Sequence, residues 1–135
     1  MSNHSDKQVV ERVLQAIVHE DVDALRPLFR DDIVWWVPSS AAVRFHLPRP
    51  LSGWSAIPWL GGPGWKGFEP GTSSIRIHHL VVEGGLVSAH FNRTAKRLGG
   101  GDYDVEYNLL FRLVEGQVAE VWEIADTAAA FGSPR

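Results

Sequence analysis

Apolar residues recur at helical spacing near the start of the chain. In SDKQVVERVLQAIVHE they lie three and four positions apart, as on one face of an amphipathic helix. Ser5 and Gln8 have the spacing of a capping box, which predicts that this helix starts near Ser5. Asp21 is a predicted N-cap for a second helix, whose length is limited by Pro27. The pattern therefore predicts two N-terminal helices.

The rest of the chain is dominated by segments that are typical of β-strands. DIVWWV, bounded by Asp and Pro, predicts a first strand, in which the adjacent Trp35 and Trp36 point to opposite faces. Four longer predicted strands follow: SIRIHHLVV, LVSAHFNRTAKR, YDVEYNLLFRLV and QVAEVWEIA. They are separated by the turn sequences EGG, GGG and EG, and Asp126 is a predicted cap for a last helical turn. Helices followed by antiparallel strands indicate an α+β fold.

Two segments between the first strand and the later ones are rich in proline or glycine. They are PSSAAVRFHLPRP (38–50) and GGPGWKGFEPGT (61–72), with a short helix predicted between them at 54–60. Long irregular segments in a compact domain are more often functional than idle. We therefore expect both to act as lids or mouth loops of a site.

Composition narrows the class of protein. The length of 135 residues fits a single domain, 1–135. A net charge of −3 without a basic run gives no electrostatic footprint for nucleic acid. The absence of cysteine excludes a disulfide framework, a thiolate zinc site and a cysteine nucleophile. The polar N-terminus and the lack of a long apolar run predict a cytoplasmic protein with no membrane partner.

The chain resembles a known family over about residues 8–131. The segments that carry the resemblance are DVDALRPLFRDDIVWWVP, LSGWSAI and FRLVEGQVAEVWEIADTAAAF. They are similar to the SnoaL-like branch of the nuclear transport factor 2-like superfamily, which includes ketosteroid isomerase, limonene epoxide hydrolase and polyketide cyclases. The resemblance implies a cone-shaped fold, in which N-terminal helices pack in the concave face of a strongly curved, mainly antiparallel sheet around an apolar cavity.

Strand alternation suggests which side chains enter this cavity. In LVSAHFNRT the apolar positions include Phe91, and Arg93 continues their alternation. Tyr107 shares a face with two apolar residues of the next strand. Both faces of the last strand are mixed, so its orientation comes from the resemblance, which places Glu123 inward. Four further side chains are then expected to line the cavity: Trp35, Val37, Trp59 and Val121.

The candidate catalytic group is Glu123 with Arg93 and Tyr107. A carboxylate near an arginine stays ionised and could act as a general base. A tyrosine hydroxyl or a guanidinium could stabilise an oxyanion that develops in the substrate. In the alternative interpretation, Arg93 and Glu123 are paired buried charges and Tyr107 belongs to the core.

Two adjacent histidines form a further candidate. His78 and His79 point to opposite faces of a strand, so they cannot bind one ion together. Which of them faces the cavity depends on the length of the EGG turn; we favour His78, as a further acid–base group. No His, Asp or Glu spacing is typical of a metal site, and we expect no cofactor.

Two functions remain open. The first is a cofactor-independent acid–base enzyme of the isomerase, lyase, cyclase or epoxide-hydrolase type, acting on a small, largely apolar molecule. The second is a non-catalytic binding or dimerisation module. It is favoured by Val37 and Val13, which stand where ketosteroid isomerase has its base and its oxyanion tyrosine.

The resemblance also suggests a homodimer that forms through the convex face of the sheet. If Glu123 points inward, Trp122 and Ile124 lie on that convex face. An apolar patch of this kind is rarely left bare by a monomer.

Overall fold

The structure, a computed structural model, describes residues 2–53 and 67–131. The helices are α1 (Asn3–Val18), α2 (Val22–Leu25), α3 (Ser39–Phe45) and α4 (Thr127–Phe131), with a 3₁₀ turn at Arg26–Leu28. The strands are β1 (Phe29–Trp36), β2 (Leu51–Ser52), β3 (Ser74–Glu83), β4 (Leu86–Lys96), β5 (Asp102–Val114) and β6 (Gln117–Ala125). The predicted helix at 54–60 lies outside the described residues.

The six strands form one curled sheet in the order β2-β1-β6-β5-β4-β3. β1 runs parallel to β6, and every other neighbouring pair is antiparallel. α1 packs against β3 and β4. This arrangement confirms the predicted α+β cone.

The helix caps in the structure agree only partly with those predicted from the sequence. Asp21 Oδ1 accepts a hydrogen bond from the Ala24 amide at 3.1 Å, and Asp126 caps α4 through the Ala129 amide at 3.1 Å, so both predicted caps are confirmed. The predicted start of α1 at Ser5 is wrong. The helix begins at Asn3, and the extended backbone of Ser2 lets its Oγ accept the Ser5 amide at 3.1 Å.

The segment 38–50, predicted to be irregular, contains α3. This helix starts directly after Pro38, whose fixed φ suits the residue before a helix, and ends where His46 adopts a left-handed conformation. The prediction of irregular structure was therefore wrong, because the prolines on either side concealed a helix of about two turns. α3 nevertheless lies at the cavity described below.

The two adjacent tryptophans of β1 lie on opposite faces of the sheet. Trp35 is 1% exposed and belongs to the main core, whereas Trp36 is half-buried on the other face. The two indoles therefore separate as predicted, one inward and one outward.

None of the helices in the described ranges combines the length and apolar character needed to span a bilayer.

The hairpin between β3 and β4 turns through two residues. Gly84 and Gly85 both have positive φ, at 54° and 82°, which fits a two-residue hairpin turn that favours glycine. The turn pairs Val82 with Val87, and both side chains pack in the core. If the side chains of β3 alternated strictly from this turn, the side chain of His78 would point inward.

A β-bulge breaks that alternation. The register of β3 against β4 shifts between Ile77 and His79, so His78 is an extra residue of the strand. Its side chain turns to the convex face, where Nε2 lies 2.8 Å from Oδ1 of Asn92 and the ring lies 4.8 Å from that of His90. The prediction that His78 faces the cavity was therefore wrong.

Candidate functional site

A cavity of about 490 Å³ lies between the concave face of the sheet and helices α3 and α4. Aromatic and aliphatic side chains form most of its wall. Its lining includes Trp35, Phe45, Phe68, Phe91, Leu109 and Phe131, with the polar side chains of Arg44, Arg93, Arg97, Tyr103, Tyr107 and Glu123. A pocket of this size suits a small organic molecule.

Glu123 supplies the carboxylate of the cavity. It lies on β6, where Val121 of the same face pairs with Trp35 of β1. This pairing brings the indole beside the carboxylate, and Trp35 Nε1 donates a hydrogen bond to Glu123 Oε1 at 2.8 Å. The bond orients the carboxylate at the cavity wall and keeps Trp35 from burying an unpaired N–H.

Two tyrosine hydroxyls meet on β5. Tyr103 and Tyr107 are four residues apart on one face of the strand, and their hydroxyls are hydrogen-bonded to each other. The Tyr107 ring stacks on Phe91 at a centroid distance of 5.3 Å. Because one proton suffices to link two hydroxyl groups, the pair retains a second proton that can be donated to a ligand.

The surroundings keep these hydroxyls protonated. Burial raises the pKa of both Tyr103 and Tyr107, and the negative charge of Glu123 raises both further. Arg93 acts in the opposite direction on each, but does not cancel the effect of burial. At neutral pH the pair is therefore a neutral hydrogen-bond donor.

Arg93 is the third polar element and is 4% exposed. Its Nε donates a hydrogen bond to Ser73 Oγ at 2.9 Å, and its guanidinium carbon lies 4.9 Å from the centre of the Phe68 ring. Burial lowers the pKa of Arg93 below its ordinary value. The guanidinium of an arginine still remains charged at neutral pH.

Other predicted site residues lie in different places. Val37 and Val121 are fully buried in the core and do not belong to the lining of the cavity. Trp59 lies outside the described residues. Among the residues that are described, no cluster of His, Asp, Glu or Cys has an arrangement that could hold a metal ion.

Several lining residues were missed from the sequence. Tyr103 has the same strand parity as Tyr107, and Arg97 continues the parity of Arg93, so alternation could have found both. Arg44 and Phe131 come from helices α3 and α4. No strand pattern could place them at the cavity.

The geometry offers an acid–base pair in an apolar enclosure. Tyr107 pairs with Ala125 on β6, so Glu123 is its diagonal neighbour on the same face. A carboxylate can accept a proton from a bound molecule, and a neutral hydroxyl can donate a hydrogen bond to the oxygen on which charge develops. Such an arrangement fits proton abstraction next to a carbonyl group.

Comparison with known proteins identifies the family. The profile of the SnoaL-like domain matches residues 10–121. This chain belongs to the SnoaL-like domain family. No curated protein sequence matches it.

Solved structures share the fold of this SnoaL-like chain. A proposed SnoaL-like polyketide cyclase from Jannaschia is 21% identical, with a TM-score of 0.79 and coverage of 98% of this chain and 95% of that one. IdmH, a proposed polyketide cyclase from Streptomyces antibioticus, is 19% identical, with a TM-score of 0.77 and coverage of 92% and 94%. A proposed ketosteroid isomerase from Kribbella flavida is 13% identical, with a TM-score of 0.70 and coverage of 98% and 84%. At these identities the likeness concerns the fold.

Proposed function

We propose that this SnoaL-like protein is a cofactor-independent acid–base enzyme that acts on a small molecule in the cavity. The observation that carries the proposal is the carboxylate of Glu123, held by Trp35 Nε1 at 2.8 Å on the same wall as the tyrosine pair. Glu123 is the general base. The attributed cyclase and isomerase activities of proteins with the same fold are in keeping with this class of reaction.

The proposed step is proton abstraction from a carbon next to a carbonyl. Glu123 takes the proton, and the electron pair of the broken C–H bond moves into the carbonyl, which becomes an enolate oxygen. The Tyr103–Tyr107 pair donates a hydrogen bond to that oxygen, and Arg93 adds positive charge nearby. The enolate then takes a proton at another carbon, as in an isomerase, or attacks an electrophilic carbon of the same molecule, as in a cyclase.

This proposal does not follow the pattern of ketosteroid isomerase in detail. The position of that enzyme's base is occupied by Val37, which is 0% exposed, and that of its oxyanion tyrosine by Val13, also 0% exposed. Neither side chain can transfer a proton. The acid–base role therefore rests on Glu123 and the tyrosines of β5.

The proposal is tested by a substrate screen on the wild type and Glu123→Gln. The screen uses enones, epoxides and polyketide-like diketones. We expect turnover of at least one class by the wild type and a loss of about 10²-fold or more in the variant, because general acid–base groups contribute about 10²–10⁴-fold. Equal turnover would remove Glu123 from the mechanism. Ligand-dependent tryptophan fluorescence without any product would instead favour a binding module.

We also propose a homodimer that forms through the convex face of the sheet. Ile124 is 69% exposed there, and the half-buried Trp122 pairs in register with Leu110. A second copy would cover these apolar side chains through a two-fold interface. The proposed dimer leaves the cavity on the opposite face of the sheet open.

A further inference from the structure

More positively than negatively charged side chains line the cavity. Three arginines, Arg44, Arg93 and Arg97, lie in the lining, whereas Glu123 is the one carboxylate among the lining residues that the structure describes. The two tyrosines stay neutral, as shown above. The cavity wall is therefore cationic, although the whole chain carries a net charge of −3.

Arg44 forms no ion pair with another residue in the described part of the chain. Its guanidinium carbon lies 5.4 Å from the centre of the Phe131 ring and 5.8 Å from that of Phe45, and both rings belong to the cavity wall. No salt bridge or hydrogen bond between described residues involves this exposed side chain. The N–H groups of its guanidinium are therefore available to water or to a ligand bound in the cavity.

Arg97 is fixed at the same end of the cavity. Its Nη2 donates hydrogen bonds to the carbonyl oxygens of Ala129 and Ala130, at 3.2 and 3.1 Å, and its guanidinium carbon lies 5.0 Å from the centre of the Tyr103 ring. Within the described ranges, the other guanidinium nitrogens of Arg97 have no hydrogen-bond partner. Arg44 and Arg97 therefore both contact residues of α4, and both have donors left over for a ligand.

The remainder of the sequence offers no acidic side chain to neutralise these arginines. Residues 54–66 and 132–135 contain no Asp or Glu, and they include Lys66 and Arg135. A bound molecule with a negative charge would compensate the positive charge of Arg44 and Arg97 at this end of the cavity.

We infer that the molecule bound in this cavity carries a carboxylate group, and that the rest of this molecule is apolar and about as large as an aromatic ring system. The carboxylate binds to Arg44 and Arg97 beside α4, and the apolar part lies against Phe91 and Trp35. Arginine is well suited to this contact, because its planar fork matches the two oxygens of a carboxylate. The inference rests on the proposed function, since it names the substrate class of the same cavity.

The test compares two ligands of equal shape, 2-naphthoate and the neutral 2-naphthamide, by isothermal titration calorimetry at pH 7.5. We expect the wild type to bind 2-naphthoate about tenfold more tightly or better, in line with the extra strength of a hydrogen bond between charged groups. Arg44→Gln should lose most of this preference, and Arg44→Gln combined with Arg97→Gln should abolish it. The affinity for 2-naphthamide should stay within about twofold in each variant.

Arg76→Gln is the matched control, because Arg76 is exposed on β3, pairs with Asn92 of the convex face and does not line the cavity. It changes the net charge by the same amount and should leave both affinities unchanged. Equal binding of the two ligands by the wild type would overturn the inference while leaving a ligand-binding cavity in place. An equal loss in Arg76→Gln and Arg44→Gln would overturn it as well, because the effect would then come from net charge. Failure of both ligands to bind at millimolar concentration would contradict the inference and the proposed function together.

Discussion

Two tryptophan–glutamate pairs lie on opposite faces of β1 and β6. On the concave face, Trp35 Nε1 donates to Glu123 at 2.8 Å; on the convex face, Trp36 Nε1 donates to Glu120, also at 2.8 Å. The outer carboxylate also accepts a hydrogen bond from Arg112 Nε at 3.3 Å. The two pairs have the same side chains and the same hydrogen bond, and they differ in what surrounds them.

This difference separates a structural pair from a candidate reactive one. Glu120 joins two strands at the outer surface, where water and Arg112 compensate its charge. Glu123 faces a cavity lined by aromatic rings and by two hydroxyls that stay protonated. Electrostatic interactions are stronger in such an enclosure than in water. The comparison indicates that placement on the sheet, rather than residue type, decides which carboxylate can take part in chemistry.

The largest expected difference concerns the two indoles. Trp35 is 1% exposed, and its ring lies 6.1 Å from that of Phe29, so Trp35→Ala should lower the free energy of unfolding by about 3–5 kcal/mol. Trp36→Ala loses a hydrogen bond and a contact with Arg49 at the surface, and should cost about 1–2 kcal/mol. Denaturant unfolding at a fixed protein concentration measures both. Equal losses would mean that the two faces of β1 do not differ as described.

The next prediction concerns the convex face. Trp122→Glu should convert the proposed dimer to a monomer, because it places two carboxylates at the contact and removes two indoles. Burial of each indole contributes roughly 1.5–3 kcal/mol. Light scattering at tens of micromolar protein measures the molar mass. A wild type that is already monomeric, or a variant that remains dimeric, would contradict the prediction.

A smaller effect is expected at the tyrosine pair, which contains both tyrosines of the chain. Because burial raises the pKa of each, tyrosinate absorbance in the folded protein should appear only well above pH 10, the ordinary pKa of tyrosine. The unfolded chain loses these protons first as the pH rises. The contribution of the pair to stability is therefore complete below about pH 10 and decreases above it.

An ultraviolet titration of the folded protein measures this shift, and the same titration in concentrated guanidinium chloride serves as the control. The unfolded chain should titrate near pH 10. A folded-state midpoint near pH 10 would show that the hydroxyls are exposed to water, and would contradict their burial in the cavity wall.

The sequence predicted much of the fold because its signals were local. Strand alternation and the turn residues gave the strands, and Asp21 and Asp126 capped the helices that were predicted for them. The opposite orientations of Trp35 and Trp36 followed from the period of a strand. The resemblance supplied the closed cone, which local patterns could not give.

The predictions were wrong where the local sequence pattern does not reveal a change of strand register or the first residue of a helix. No sequence signal marked the bulge at His78, so alternation was carried one residue too far. α1 begins at Asn3 because a second serine, Ser2, was available one turn earlier. At the site, contacts from α3 and α4 depend on how helices close over the sheet. Arg44 was therefore missed, whereas Arg93, Tyr107 and Glu123 were placed at the cavity by strand parity and resemblance.

The most direct test of the central claim compares Glu123→Gln with Glu120→Gln in one proton-transfer assay. Deuterium uptake at the α-carbons of 2-tetralone in D₂O, followed by proton NMR, measures general-base catalysis without knowledge of the natural substrate. We expect the wild type to exceed the buffer rate, Glu123→Gln to lose about 10²-fold or more of that acceleration, and Glu120→Gln to stay within about twofold of the wild type. A wild-type rate equal to that of buffer, or equal losses in the two variants, would contradict the account.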